Sequence, residues 1–205
     1  MQENFRRFCV LNENGLTVFL MDVIIRTNYL VRYVQRCVML KLVGKMRDLD
    51  FPALMNIYME GNLEKAESYG DGGLLQAEEE FRDYLRADFF SVPGAFYALW
   101  EAEGKPVSAL RMEPYQDGWL LEALETAPTH RNRGYAKMLI SAVIRYLAAQ
   151  GPVRVYSHVS RGNVPSLRTH YACGFEKFLD YAVYIDGSVT QRACTLRWQT
   201  EDEFA

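Results

Sequence analysis

The chain has 205 residues, enough for one domain with a short appended segment. Its composition, 49% hydrophobic and 24% charged, is that of a globular protein with ample apolar material for a core. A formal net charge of −3 gives no global attraction for nucleic acid, and no apolar run is long enough to cross a bilayer, so neither a nucleic-acid nor a membrane partner is expected.

Residues 1–38 are rich in Val, Ile, Leu and Arg, but without a clear period. The apolar stretch 16–25 is short and contains Asp22. It ends at Arg26 with no small-residue cleavage site, so it reads neither as a membrane span nor as an export signal. The segment reads as a genuine extension, a partner-binding element, or translation from a start codon placed too early. Met39 directly precedes the first strand of a complete-looking domain at 39–200, which makes Met39 the expected natural start. Residues 201–205 form an acidic tail. Cys9, Cys37, Cys173 and Cys194 stand at neither metal-ligand nor disulfide-scaffold spacing. Free thiols in a reducing cytosol are expected, with no metal and a cytoplasmic location.

From residue 39 the chain alternates strand-like and helix-like stretches. Residues 40–46 read as a strand. Asp48 or Asp50 then caps a helix at 51–60, with Pro52 in its first turn. Glycines 61, 70, 72 and 73 mark loops. Residues 74–88 form an amphipathic helix with Leu74, Ala77, Phe81, Tyr84 and Leu85 near one face. Residues 48–90 are strongly acidic, which reads as solvated helix faces and as a weak attraction for a cationic substrate. Strands at 95–101 and 107–112 form a hairpin about Gly104, and a third strand at 119–126 follows the Asp117-Gly118 turn. Phe96, Tyr97 and Trp100 read as core, while Phe89 and Phe90, in a loop, are open to a pocket role. A polar loop at 128–134 leads into a helix at 135–150, which Gly151-Pro152 stops. A strand at 153–159, a short helix at 163–173 ended by Gly174, and a hairpin of 176–185 with 190–198 complete the α/β domain.

The chemistry concentrates at Arg131-Asn132-Arg133-Gly134-Tyr135-Ala136, between a strand and a long helix. Gly134 and the small Ala136 permit close backbone approach to a ligand. The unpaired amides and dipole of the helix start favour an anion, and Arg131 and Arg133 add charged donors. The stretch lacks the Lys-Ser/Thr of a Walker loop and the further glycines of a dinucleotide fingerprint.

This segment resembles the central signature of the GNAT superfamily of acyl-CoA-dependent N-acetyltransferases, namely Arg or Gln, two residues, Gly, one residue, then Gly or Ala. Arg131, Gly134 and Ala136 fit it, and Leu124-Glu125-Thr126-Ala127-Pro128 sits where the family has a strand and a proline-containing turn. A second family element, Asn followed by a helix carrying Tyr and then Gly-Phe, is matched by Asn163, Ser166, Tyr171 and Gly174-Phe175. Element order agrees over residues 39–198.

The resemblance implies a mostly antiparallel sheet with two splayed parallel strands, 119–126 and 153–159, and flanking helices. It implies acetyl-CoA as co-substrate, with its pantetheine arm in the gap against Leu124, Glu125 and Thr126. The pyrophosphate would lie on the amides of Arg131, Asn132, Arg133, Gly134, Tyr135 and Ala136, and Asn163 and Ser166 would hold the arm. A primary amine of a small molecule or peptide is the implied acceptor, with Glu122 as general base and Tyr171 as general acid. Simple alternation puts Leu120, Glu122, Leu124 and Thr126 on one strand face and Leu121, Ala123 and Glu125 on the other. A bulge, common in this strand of the family, would swap the faces, so Glu125 is the second choice. Asn163 also reads as a helix cap. His130, His158 and His170 read as structural or surface residues, and Cys173 as a buried apolar one. Two alternatives stand: a non-catalytic acyl-CoA-binding module, and use of another acyl donor such as succinyl-CoA, whose carboxylate Arg111 or Arg161 could meet. A homodimer is left open.

Overall fold

The aromatic and β-branched runs become strands of one mixed sheet. The computed structural model describes the backbone of residues 5–11, 17–27, 30–34 and 38–200, and the side chains of residues 40–200. Its elements in order are β1 (Phe5–Leu11), β2 (Thr17–Thr27), β3 (Leu30–Val34), β4 (Val38–Val43), α1 (Phe51–Ile57), α2 (Met59–Ala66), α3 (Gly73–Ala87), β5 (Phe96–Ala102), β6 (Lys105–Tyr115), β7 (Gly118–Thr126), α4 (Tyr135–Ala148), β8 (Arg154–Ser160), α5 (Val164–Tyr171), β9 (Glu176–Leu179), β10 (Ala182–Val183), β11 (Val189–Thr190) and β12 (Ala193–Gln199). The seven strands β4-β5-β6-β7-β8-β12-β9 run antiparallel except for the parallel pair β7–β8. β2 extends the sheet past β4 through Phe19↔Leu40 and Leu20↔Met39, and β1 and β3 both pair with β2. β10 and β11 form a separate ribbon. This is the mixed α/β architecture expected from the sequence.

Period-two alternation along β5 feeds two cores, one on each sheet face. Phe96, Ala98 and Trp100 pack with Leu139, Ile140, Val143 and Leu147 of α4, while Tyr97 and Leu99 pack with Leu54 of α1, Leu85 of α3 and Phe89. Helices thus cover both faces, and their apolar stripes are what hold them there.

The departures from the sequence reading have local causes. The first strand ends at Val43, because a short turn at Met46–Asp48 follows. The single helix expected at 51–60 is broken at Tyr58, whose ψ of 10° is not helical and whose hydroxyl donates across to the carbonyl of Ala123 at 2.6 Å. β6 runs through Pro114 to Tyr115, beyond the expected end at Met112. β5 reaches only to Met112, so Pro114 sits where β6 has a single neighbour and its missing N–H is tolerated. The expected last hairpin divides in two: β9 pairs with β12, and the tip folds into the β10–β11 ribbon, tied down by Tyr115 Oη donating to the Val183 carbonyl at 2.6 Å.

Two features of β7 position the site. Its register against β6 jumps between Ala109↔Glu125 and Arg111↔Glu122, so Ala123 and Leu124 together face Leu110, and Ala123 adopts φ 47°. And β7 pairs with β8 only from Trp119↔Val155 to Leu121↔Ser157 before the strands part. Gly118 marks the closed end: a Cβ there would clash with the Arg154 carbonyl oxygen.

Candidate active site

Three cavities follow one another across the sheet. The first lies at the start of α4, where Gly134 (φ 80°) and Asn132 (φ 60°) turn the chain into the left-handed region. The first intrahelical bond there is donated by Met138 to Gly134, which leaves the amides of Tyr135, Ala136 and Lys137 facing outward. A Cβ on Gly134 would meet nothing of the protein within 4 Å, so backbone conformation and space for a ligand, rather than packing, call for glycine. The cleft over these amides, about 520 Å³, collects the expected cofactor residues Leu124, Glu125, Thr126, Arg131, Asn132, Gly134, Tyr135, Ala136, Asn163 and Ser166. Arg133 is exposed and outside its lining; Lys137 is part of it.

Arg131 does not reach freely into this cleft. Its guanidinium donates to the Thr126 carbonyl at 3.2 Å and pairs with Glu125 at 3.1 Å and Glu60 at 2.7 Å. It fixes the loop to the end of β7. Glu125 is committed to this cluster and also accepts from the Thr126 amide at 3.0 Å.

The second cavity, about 200 Å³, is the gap between the parted strands; it shares Leu124, Asn163 and Ser166 with the first. Asn163 caps α5, with Oδ1 accepting from the Ser166 amide at 3.1 Å, so its cap role coexists with a place on both cavities. His170 also lines the gap and is 1% exposed. Its Nδ1 lies 2.8 Å from the Ser166 carbonyl oxygen, which can only accept, so the proton sits on Nδ1. Nε2 is itself buried, carries the lone pair and has no hydrogen-bond partner among the described residues. Burial pushes the imidazole pKa down, favouring this neutral form. Tyr171, expected to serve here, ends α5 with 47% of its surface exposed and lines none of the three cavities.

Glu122 joins the gap to the third cavity, about 630 Å³, whose lining includes Glu113, Tyr84, Phe89, Tyr184 and Ile185. The β7 bulge changes the expected facing. Leu121 and Leu124 both belong to the α4 side, whereas Glu122 and Glu125 both meet the opposite side, at Arg111 and Arg131 respectively. Arg111 pairs with Glu122 at 3.4 Å and stacks against the rings of Tyr84 (5.0 Å) and Phe89 (5.5 Å). Arg161 is held at Gln191 and Asp180. Glu113 is 7% exposed; burial, reinforced by the Glu122 carboxylate, raises its pKa from an ordinary 4.5 to about 7.

Glu113 and His170 are the groups that the sequence reading left out of the site. Glu113 lies beyond the strand end that the sequence reading places at Met112. The signal was alternation with Arg111, which puts both on Glu122's side of the sheet. His170 was set aside for want of a recognisable partner. His158, on β8, lines the gap with Nδ1 at 3.1 Å from Thr195 Oγ1, and its ring packs edge-on to Tyr115 and Tyr184. His130 borders the first cavity beside Tyr135. Cys173 and Cys194 are free thiols, and burial raises the pKa of Cys173. Among the described residues no His, Cys, Asp or Glu group could hold a metal ion, and no helix is long and apolar enough to cross a membrane.

A model of the acetyltransferase (GNAT) family matches residues 52–175. No curated protein matches the sequence. Among solved structures, PH1933 from Pyrococcus horikoshii OT3 superposes with a TM-score of 0.55 at 14% identity, covering 79% of this chain and 99% of its own. The PaiA N-acetyltransferase of Thermoplasma acidophilum, solved with coenzyme A, gives 0.54 at 10% identity over 78% and 99%. An IAA acetyltransferase from Bacillus cereus ATCC 14579 gives 0.53 at 13% identity over 80% and 99%. At these identities the likeness is one of fold.

Proposed function

The chain belongs to the GNAT acetyltransferase family, and from that premise we propose that it is a cytoplasmic N-acetyltransferase moving an acetyl group from acetyl-CoA to a primary amine. The observation that carries this reading is the row of neighbouring cavities that share lining residues. The helix-start amides open onto the gap between β7 and β8, and Glu122 links that gap to a carboxylate-floored cavity.

In this reading the pyrophosphate lies on the amides of Tyr135, Ala136 and Lys137. The pantetheine arm enters the gap and pairs with backbone that β7 and β8 leave unpaired, as an added strand would. The acceptor enters from the third cavity. An alkylammonium has a pKa of about 10 and must lose a proton before it can attack. The Glu113–Glu122 pair accepts it. Glu122, the base expected from sequence, keeps its place next to the gap, and Glu113 supplies a carboxyl whose affinity for a proton suits the task. The amine nitrogen then bonds to the thioester carbon, the nitrogen releases its second proton, the carbon–sulfur bond breaks, and that proton is passed on to the departing sulfur. The sequence assigns that last transfer to Tyr171; in this reading His170 takes the role, because it lines the gap and its Nε2 lone pair has no partner among the described residues, whereas Tyr171 lines none of the three cavities. The free thiols support a cytoplasmic assignment.

Calorimetric titration of acetyl-CoA tests the reading. Wild-type protein should bind it, and Gly134→Trp, which fills the cleft while leaving the core alone, should abolish binding. An assay of released thiol over an amine panel follows, with Glu122→Gln reducing turnover. A folded wild-type protein that binds no acetyl-CoA would overturn the assignment.

A further inference from the structure

Resting on the acetyltransferase reading, we propose that the cavity between α3, β6 and the β10–β11 turn receives a monocationic primary amine carried on an aromatic-sized apolar body, of the 2-arylethylamine kind. The charge count at its floor selects one cation. Glu113 and Glu122 together carry two negative charges when ionised, and the Arg111 guanidinium, 3.4 Å from Glu122, cancels one. One carboxylate's worth of charge remains, buried beside the gap where the acetyl carbon must arrive, and it matches a single ammonium.

The walls select the apolar body. Tyr84, Phe89, Tyr184 and Ile185 surround a volume of about 630 Å³, within the range of small-molecule sites. Tyr184 and Ile185 are 39% and 55% exposed, although they are large and apolar. The Tyr115–Val183 hydrogen bond anchors the strand that leads into them, and the His158 ring packs 5.5 Å from that of Tyr184, which fixes the Tyr184 side of this wall. Apolar area so placed gains by being covered.

Two other acceptors fit less well. A diamine needs a second anion, and the remaining carboxylates here, Asp88 and Asp186, are exposed. Asp186 already accepts from the Ser188 amide at 2.9 Å to close its own turn. In water at physiological salt such groups hold a cation weakly. A peptide needs backbone partners, and here the Tyr184 N–H and carbonyl and the Ser188 carbonyl are used within the turn, while the Val183 carbonyl accepts from Tyr115.

The test combines binding and transfer. Binding of 2-phenylethylamine is measured by calorimetry in the presence of CoA. Acetylation of 2-phenylethylamine, 1,5-diaminopentane, ethylamine and a dipeptide amide is then compared. We expect kcat/KM for 2-phenylethylamine to exceed that for the diamine and the dipeptide amide by about tenfold or more. Tyr184→Ala should lower the ratio of 2-phenylethylamine to ethylamine by about tenfold. Preference for the diamine or the dipeptide amide, or an unchanged ratio in Tyr184→Ala, overturns the inference. Binding of 2-phenylethylamine without acetylation of any amine upholds the cavity assignment and overturns the transferase reading. Acetylation of other amines without binding of 2-phenylethylamine does the reverse.

Discussion

Glu113 shows how one buried side chain links stability to chemistry. Its folded pKa near 7 lies above its ordinary 4.5, so between these values the folded protein holds a proton that the unfolded chain has lost. Stability therefore falls as pH rises through that window, and above about pH 7 the ionised Glu113 costs on the order of 3 kcal/mol. Glu113→Gln should unfold at higher urea than wild type at pH 8, with little difference at pH 4. The same substitution should lower kcat by about a hundredfold and remove the rise of rate with pH through 7. Stabilisation without that loss would assign Glu113 to packing alone. His170 and Tyr171 are adjacent in sequence but differently placed, one buried in the gap and the other half-exposed. His170→Gln should lower kcat by about tenfold or more and change the pH profile while acetyl-CoA still binds; Tyr171→Phe should do little. The opposite pattern in steady-state kinetics would return the role to Tyr171.

At the scale of elements, the bulge in β7 matters most. Ala123 at φ 47° is strained by the contact of its Cβ with the backbone, and the Tyr58 hydroxyl on its carbonyl helps to hold it there. Ala123→Val should lower stability by about 2 kcal/mol in urea unfolding, whereas Ala123→Gly should change it by less than about 1 kcal/mol. Equal costs would mean that the strain is absent. Most helices and strands were legible because periodicity and Gly or Pro stops are local: α3, α4 and β7 begin and end within a residue or two of the sequence reading. The expected α4 loop was legible for the same reason, since a glycine before a long amphipathic helix is a contiguous signal. What was not legible depended on contacts distant in sequence. The break at Tyr58 answers to Ala123, the length of β6 answers to where β5 stops, and the β10–β11 ribbon answers to Tyr115. Arg131 is the clearest example: the sequence reads it as a phosphate donor, and its ion pairs with Glu60 and Glu125, which brace the loop while it lines the first cavity, depend on residues distant in sequence.

At the scale of the molecule, the three cavities lie where helices and sheet meet, and the proposed ligand path would run through them. Binding of acetyl-CoA to the folded state alone should raise stability by about 2.7 kcal/mol at a hundred times its Kd. For a chain of this size that corresponds to a Tm increase of about 5–10 °C in a thermal scan. No shift at saturating acetyl-CoA would contradict a site assembled only on folding.

The parting of β7 and β8 has a further consequence, for self-association. A sheet opened in its middle has four borders instead of two, and the inner pair presents unpaired N–H and C=O groups that could recruit a strand of another chain. Here those borders are short, Glu122 and His158 place polar groups along them, and Asn163, Ser166 and His170 of the α5 region line the slot from the side. The polar groups and the α5 region that line this slot also shield the interior seam from other chains.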